Sequence, residues 1–325
     1  MPNHSVKPIP YILTVAALCA GHHLQAAENP LIGRFALTLP GGGAGWLGVE
    51  MVNGELKSSI LWGGGSIVPT TATRLESDTL IVTRVQTSKQ QEMVTETITA
   101  KLTADVLNLT SIKTKADGTQ VAKVEFTGKR IASLPPAPDL SKVKYGAPVS
   151  IFNGKDLAGW SLVPQNGDNG WSVEDGVLMN RVTPGKHHAN LRTNSEFEDF
   201  NITLEVRTQT ASNSGVYLRG IYEIQIAETF GKPLDSHNMG ALYSRITPEV
   251  AAEKPVGEWQ TLSITLVDRH VTVILNDKTI IANKPVLGCT GGALTSDESK
   301  PGPIMLQGDH TNIDYRNIVL RPVIK

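Results

Sequence analysis

The sequence predicts an all-β protein: a β-sandwich or jelly roll preceded by a smaller β-rich domain, itself a barrel or sandwich. Three observations carry this. Short runs of Val, Ile, Leu and Thr, many alternating with polar residues, are interrupted every few positions by Gly, Pro, Asn or Asp. No long stretch keeps a 3.6-residue apolar period, and Pro248–Glu253 is the one place left for a short helix. Asn53-Gly54 and Asn276-Asp277 sit between apolar runs, and residues of these types tolerate the positive φ of a tight hairpin.

Taken in order, the chain begins with Lys7 and an apolar run from Ile9 to Ala20, followed by the small pair Ala26-Ala27. That pattern predicts a secretory signal peptide over residues 1–27 and a periplasmic or extracellular protein. The run is too short to span a bilayer, so no membrane span is expected after the signal. Leu18 directly before Cys19 argues for plain export over lipid attachment. Residues 28–137 form the smaller domain, with strands predicted at Leu31–Leu39, Gly45–Val52, Thr79–Gln86 and Val94–Leu102. Residues 134–148 hold four prolines and no periodicity, so 138–148 reads as a linker. The domain 149–325 resumes with strands at Trp171–Leu178, Phe200–Thr208, Val216–Leu218, Tyr222–Ile226, Gln260–Val267, His270–Leu275, Lys278–Ile281, Ile304–Gln307 and Ile313–Leu320. Many short strands over such a length predict a sandwich.

Composition excludes some partners. Thirty Lys and Arg face thirty-one Asp and Glu, without the basic excess of a nucleic-acid binder. Removal of the signal leaves Cys289 as the one cysteine, so no intramolecular disulfide is expected. Cys289 lies in LGCTGG with no adjacent His and reads as a structural thiol. The composition leaves the oligomeric state open.

The stretch NSGVYLRGIYEIQIAE, residues 213–228, carries the chemistry. Strand alternation turns Val216, Leu218, Tyr222, Ile224 and Ile226 to the core and leaves Tyr217, Arg219, Glu223 and Gln225 on the other face. Solvent-facing strand positions favour Thr, Ser and Lys. The forks and amides found here suit planar hydrogen bonding to hydroxyls. A second polar group follows Ile304 and Leu306: Gln307 and Asp309 share one face, and Gly308 permits a bulge that brings His310 to the same groove. Histidine suits proton transfer near neutral pH.

Other motifs read as structural. His187-His188 lacks metal-site spacing. The triplets Gly41–Gly43 and Gly63–Gly65 lack the Lys-Ser/Thr and helix of a phosphate cradle and read as loops. Trp160, Trp171 and Trp259 are candidates for stacking on sugars, although Trp171 and Trp259 open strands, where core packing is the commoner role.

The segments SIFNGKDLAGW (150–160), GWSVEDGVL (170–178), FEDFNITLEVR (197–207), NSGVYLR (213–219), YEIQI (222–226), GALY (240–243), KPVGEW (254–259), GPIMLQ (302–307) and YRNI (315–318) occur in the order found in another group of proteins. Over residues 148–323 the chain resembles the 3-keto-disaccharide hydrolase domain family. The resemblance implies a concanavalin-type jelly roll and substrates oxidised to a ketone at C3. It does not extend to residues 28–138.

It also implies a reaction. The C3 ketone acidifies the C2 hydrogen, a base removes it, the enolate expels the C1 aglycone by β-elimination, and water adds to the product. On that basis His310 or Glu223 is the base, and Arg219 and Gln307 donate to the enolate oxygen. Gln225, Tyr217 and Tyr243 hold hydroxyls, with Glu228 as a further substrate contact. No cofactor is expected, and a divalent metal is left open. Two other readings stand: a non-catalytic sugar-binding module, and a retaining glucanase with two carboxylates. Gln225 occupies the position of the central Asp in the E-x-D-x-x-E signature of such glucanases, which disfavours the latter.

Overall fold

The computed structural model describes residues 29–87 and 92–324; the predicted signal segment 1–27, with Cys19, lies outside them. The described chain is built of strands, with no helix. Pro248–Glu253 forms bends and open coil, and the Glu249 amide donates across to the Ile280 carbonyl at 2.8 Å.

The first nine strands are β1 Gly33–Thr38, β2 Ala44–Val52, β3 Glu55–Trp62, β4 Val68–Pro69, β5 Ala72–Glu76, β6 Thr79–Thr87, β7 Met93–Thr103, β8 Val106–Lys115 and β9 Gln120–Arg130. They make one antiparallel sheet in the order β4-β3-β2-β1-β9-β8-β7-β6-β5. Its two ends are consecutive in sequence. Thr70 and Thr71 carry the chain from one edge to the other, donating to the Ser58 carbonyl at 3.0 Å and the Thr83 carbonyl at 2.8 Å. The buried Ser58 hydroxyl adds bonds of 2.7 and 2.6 Å to the Thr70 and Thr73 hydroxyls. The sheet therefore curls into a barrel and its edges are covered. Phe35, Leu37, Leu47, Ile60, Leu80, Val82, Ile98 and Leu107 fill the interior. The β2–β3 turn is Asn53-Gly54, with φ of 52° and 82°, as its composition predicts.

The remaining strands are β10 Val149–Ser150, β11 Trp160–Val163, β12 Trp171–Glu174, β13 Val177–Asn180, β14 Asn190–Thr193, β15 Phe200–Thr208, β16 Asn213–Leu218, β17 Tyr222–Ala227, β18 Trp259–Val267, β19 His270–Leu275, β20 Lys278–Pro285, β21 Met305–Leu306 and β22 Ile313–Pro322. One sheet runs β12-β13-β22-β15-β18-β19-β20, with β10 also on β22; the other runs β11-β14-β21-β16-β17. The span expected as one strand, Trp171–Leu178, is a hairpin, because Asp175 and Gly176 take φ of 48° and 78°. Apolar side chains of both sheets, among them Ile202, Leu204, Ile264, Val216, Ile224 and Leu306, form one core, the signature of a sandwich.

Barrel and sandwich are not independent. Ala44, Trp46 and Leu61 of the barrel belong to the sandwich's core cluster. The Arg245 guanidinium lies 4.5 Å from the Trp46 ring centre and donates to the Cys289 carbonyl at 2.6 and 3.0 Å. Between the two bodies, Arg269 donates to the Ala132 and Ser133 carbonyls, and Asn283 to that of Pro138. The proline-rich segment is thereby fastened to the sandwich.

Candidate active site

The polar row lies on β16 and β17, joined by a hairpin in which Arg219 and Gly220 take φ of 54° and 67°. Register sets Tyr217 opposite Glu223, Val216 opposite Ile224 and Gly215 opposite Gln225. Tyr217 and Glu223 are therefore direct cross-strand neighbours on one face. That face is covered: Tyr217 is 1 % exposed, Glu223 3 % and Gln225 4 %. Segments 289–292 and 238–243 cover its edge. The Thr290 hydroxyl accepts from the Glu223 amide at 2.9 Å, and the Tyr243 amide donates to the Glu223 carbonyl at 3.0 Å.

Above this hairpin is a cleft of about 210 Å³ lined by Tyr217, Glu223, Tyr243, Gln307, Asp309 and His310, with Asn190, Asn213 and two glycine pairs, Gly64-Gly65 and Gly291-Gly292. Glu223 is the deeply buried carboxyl of the set. Its pKa is pushed up to about 8, chiefly by burial and further by the Asp309 charge, against the Tyr217 hydroxyl and the His310 charge. Gly215 leaves room for it: a Cβ there would overlap Glu223 Oε1. Tyr217 donates its hydroxyl proton to the Gly291 carbonyl at 2.7 Å, and burial beside Glu223 holds the phenol protonated.

Opposite, His310 Nδ1 lies 2.6 Å from Asp309 Oδ1, and this bond holds the imidazole pKa above its usual value, with further support from the Asp309 and Glu223 charges. The Gln307 side-chain oxygen is buried without a partner. Asn190 uses its Oδ1 to accept from the Gly308 amide at 2.9 Å, which leaves its NH₂ to the cleft. The Gln225 amide is 3.0 Å from Asn213 Oδ1 and, with its nitrogen and oxygen exchanged, 3.2 Å from Glu223 Oε1. It stands behind the carboxyl and does not line the cleft.

Tyr217, Glu223, Tyr243, Gln307 and His310 thus come together as the sequence predicts, and three predicted residues, Gln225, Arg219 and Glu228, do not. Arg219 points away from the cleft. Its guanidinium donates to the Glu298 carbonyl at 2.6 Å and to that of Lys300, at 4 % exposure, and so is not placed to hold an enolate oxygen. Glu228 follows the end of β17 and faces Lys232 at 3.5 Å. It does not line the cleft either, so the second carboxylate of a glucanase signature is missing from this site. Arg219→Met should lower the unfolding free energy by about 1–3 kcal/mol, because buried carbonyls lose their donor. It should leave kcat on the cleft's substrate within about threefold, since only effects transmitted through the fold remain. Chemical denaturation and steady-state kinetics check both.

Sequence reasoning passed over Asn190, Asn213 and the glycine pairs. Their signal was weak, since two of the glycines lie in the Gly63–Gly65 triplet read as a plain loop and two more follow Cys289 and Thr290 in the turn read around the structural thiol. Cys289 itself is buried, its Sγ 3.7 Å from the Gly45 carbonyl, and burial pushes the thiol up to about 12. None of the three tryptophans lines the cleft. Trp160 and Trp171 donate to the Ile151 and Ala189 carbonyls, and Trp259 stacks with Arg207 and Arg316. His188 is buried, its Nε2 accepting from the Thr183 amide at 2.7 Å. Among the described residues no group of three or more His, Cys, Asp and Glu is gathered for a metal ion, and no helix is long and apolar enough to cross a membrane.

Residues 147–321 match the family of 3-keto-alpha-glucoside-1,2-lyase-like domains. Among solved structures, a provisionally named glycosyl hydrolase from Parabacteroides distasonis is 28 % identical with a TM-score of 0.45, covering 60 % of this chain and 94 % of its own. A second from that organism is 26 % identical with a TM-score of 0.42, covering 55 % and 100 %. A carbohydrate-binding module from Bacillus subtilis is 14 % identical with a TM-score of 0.33, covering 49 % and 93 %. No curated protein matches the chain. By the match across its sandwich, the chain belongs to the 3-keto-alpha-glucoside-1,2-lyase-like family and has a carbohydrate-active role.

Proposed function

We propose that the protein cleaves glycosides that carry a ketone at C3, by proton abstraction at C2 and elimination of the C1 substituent. The observation that carries this is Glu223: a carboxyl in a ring-sized cleft, raised to about 8, with a protonatable histidine in the same cleft. A base acts best when its pKa lies near the working pH, and burial has moved this one there.

In this reading Glu223, once ionised, takes the C2 proton. The C2–H electrons pass into the C2–C3 bond and onto the ketone oxygen, which becomes an enolate. Amide donors from Gln307 and Asn190 face that charge, in place of the Arg219 that the sequence offered. Collapse of the enolate breaks the C1–O bond, and His310, held by Asp309, delivers a proton to the departing oxygen. Water then adds to the unsaturated ketone, so the net change is hydrolysis. Tyr217 and Tyr243 flank the ring and hold its hydroxyls. Glu223 and His310 interact, so they titrate as a pair and the rate should follow a bell-shaped pH profile. The basic, apolar and small-residue order of the first 27 residues makes export part of the same proposal.

The test incubates the protein with a glucoside and with its 3-keto form in D2O. Loss of the keto form alone, with deuterium at C2 of the released sugar, is the expected result. Cleavage of the plain glucoside with C2–H intact is glucanase chemistry, and binding without cleavage of either sugar is a binding module. Each of those two outcomes overturns the proposal.

A further inference from the structure

The family match begins at residue 147, yet Gly64 and Gly65 of the barrel line the cleft beside Tyr217 and Glu223. We propose that the barrel is part of the active site: its Gly63–Gly65 loop is one wall of the sugar cleft, and the sandwich without it is an incomplete site. The identity of the ligand rests on the function proposed above; the placement of the wall does not.

Three sets of contacts hold the loop in place. The Gly292 amide donates to the Gly63 carbonyl at 3.3 Å. Just beyond, Ser66 Oγ lies 2.9 Å from His237 Nε2, and the Ile67 amide donates to Ser244 Oγ at 2.9 Å. His237 packs edge-on against the cleft residue Tyr243, ring centres 5.0 Å apart, so the loop is tied to the far wall as well. Below it, Trp46 and Leu61 are set in the sandwich core.

The facing Gly291 lacks a side chain for a steric reason. A Cβ on Gly291 would overlap the Gly65 carbonyl oxygen and stand 2.8 Å from the Gly65 nitrogen, so the two glycine loops interlock backbone to backbone. Among the described residues, neither the Gly64 nor the Gly65 N–H donates to a backbone acceptor. Amides without a backbone acceptor at the edge of a cleft are donors of the kind that sugar hydroxyls accept from. A cavity of about 210 Å³ is below the roughly 300–1,000 Å³ of pockets for drug-sized ligands. The wall therefore confines the cleft to about one ring.

Gly64 makes this testable in the full chain. A Cβ at Gly64 meets no atom within 4 Å and its φ is not left-handed, so larger side chains fit the fold and extend into open space. Gly64→Phe should keep the wild-type melting temperature, raise KM and lower kcat/KM on a 3-keto-glucoside by about 10²-fold by obstructing the ring. Gly64→Ala should give a smaller loss in the same direction. Met51→Phe, exposed at the opposite end of β2, should change neither.

A second readout needs no substrate. The ring-proton resonances of His310, followed by NMR across its titration, should move in Gly64→Phe and stay in place in Met51→Phe. Wild-type turnover in a folded Gly64→Phe, with unmoved His310 resonances, overturns the wall. If the wild-type protein leaves the keto sugar intact, the proposed function fails and the His310 resonances alone decide for or against the wall. Should Gly64→Phe not fold, Gly64→Ala is read by the same two measurements, and wild-type values in both overturn the proposal.

Discussion

Glu223→Gln should lower kcat on a 3-keto-glucoside by about 10²–10⁴-fold, the contribution of a well-placed base, while the protein remains folded and still binds the sugar. The substitution is nearly isosteric and removes only the ability to accept a proton. It should also stabilise the protein at alkaline pH. Burial raises the Glu223 pKa to about 8 in the folded state, against 4.5 for the free side chain. Below pH 4.5 both states hold the proton and the group has no effect on stability. Between pH 4.5 and about 8 the unfolded chain releases it while the folded chain retains it, so stability falls with rising pH. The loss amounts to a few kcal/mol, to order of magnitude, by the top of that window. Glu223→Gln is free of it, so urea denaturation from pH 5 to 8 should show the variant overtaking wild type as the pH rises. A wild-type kcat for the variant removes Glu223 from the role of base, and parallel stability curves remove the raised pKa.

Gly215→Ala should be nearly as damaging by a different route. Its Cβ would overlap Glu223 Oε1 and lie 2.7 Å from Cγ and 2.9 Å from Cδ, in a strand whose φ suits alanine. The carboxyl has to move, and a displacement of about 1 Å costs about 10²-fold in rate. Overpacking should lower stability by about 1–3 kcal/mol. The two residues should couple: in a Glu223→Ala background the added methyl finds room, and most of the stability loss should vanish. Additive losses in the double variant would show that Gly215 acts through something other than the carboxyl.

Much of this was legible in the sequence, for local reasons. Period-two alternation and the Asn53-Gly54 turn located many of the strands and named the class, because both depend on neighbours in the chain, but Trp171–Leu178 reads as one strand where there is a hairpin. The same alternation put Tyr217 and Glu223 on one face, and a single hairpin was enough to make them neighbours. It failed where the chain leaves the strand. Arg219 shares the parity of Tyr217 but is the first turn residue, and its left-handed φ of 54° swings the side chain to the Lys300 and Glu298 carbonyls. Glu228 has the opposite parity to Glu223 and lies beyond the end of β17. The glycine walls were silent for a plainer reason: they contribute backbone, and residues 65 and 291 meet through tertiary packing that no local pattern records.

Cys289 has a consequence for how the molecule ages. The thiolate, not the thiol, attacks disulfides and is oxidised, and a thiol pushed up to about 12 is almost wholly protonated at neutral pH. Wedged beneath the barrel at 1 % exposure, the sulfur is inaccessible to dissolved oxidants while the two bodies stay docked. Its reactivity therefore reports whether the barrel is seated: a chain that becomes oxidised or cross-linked at this position has first come apart at the junction that completes its active site.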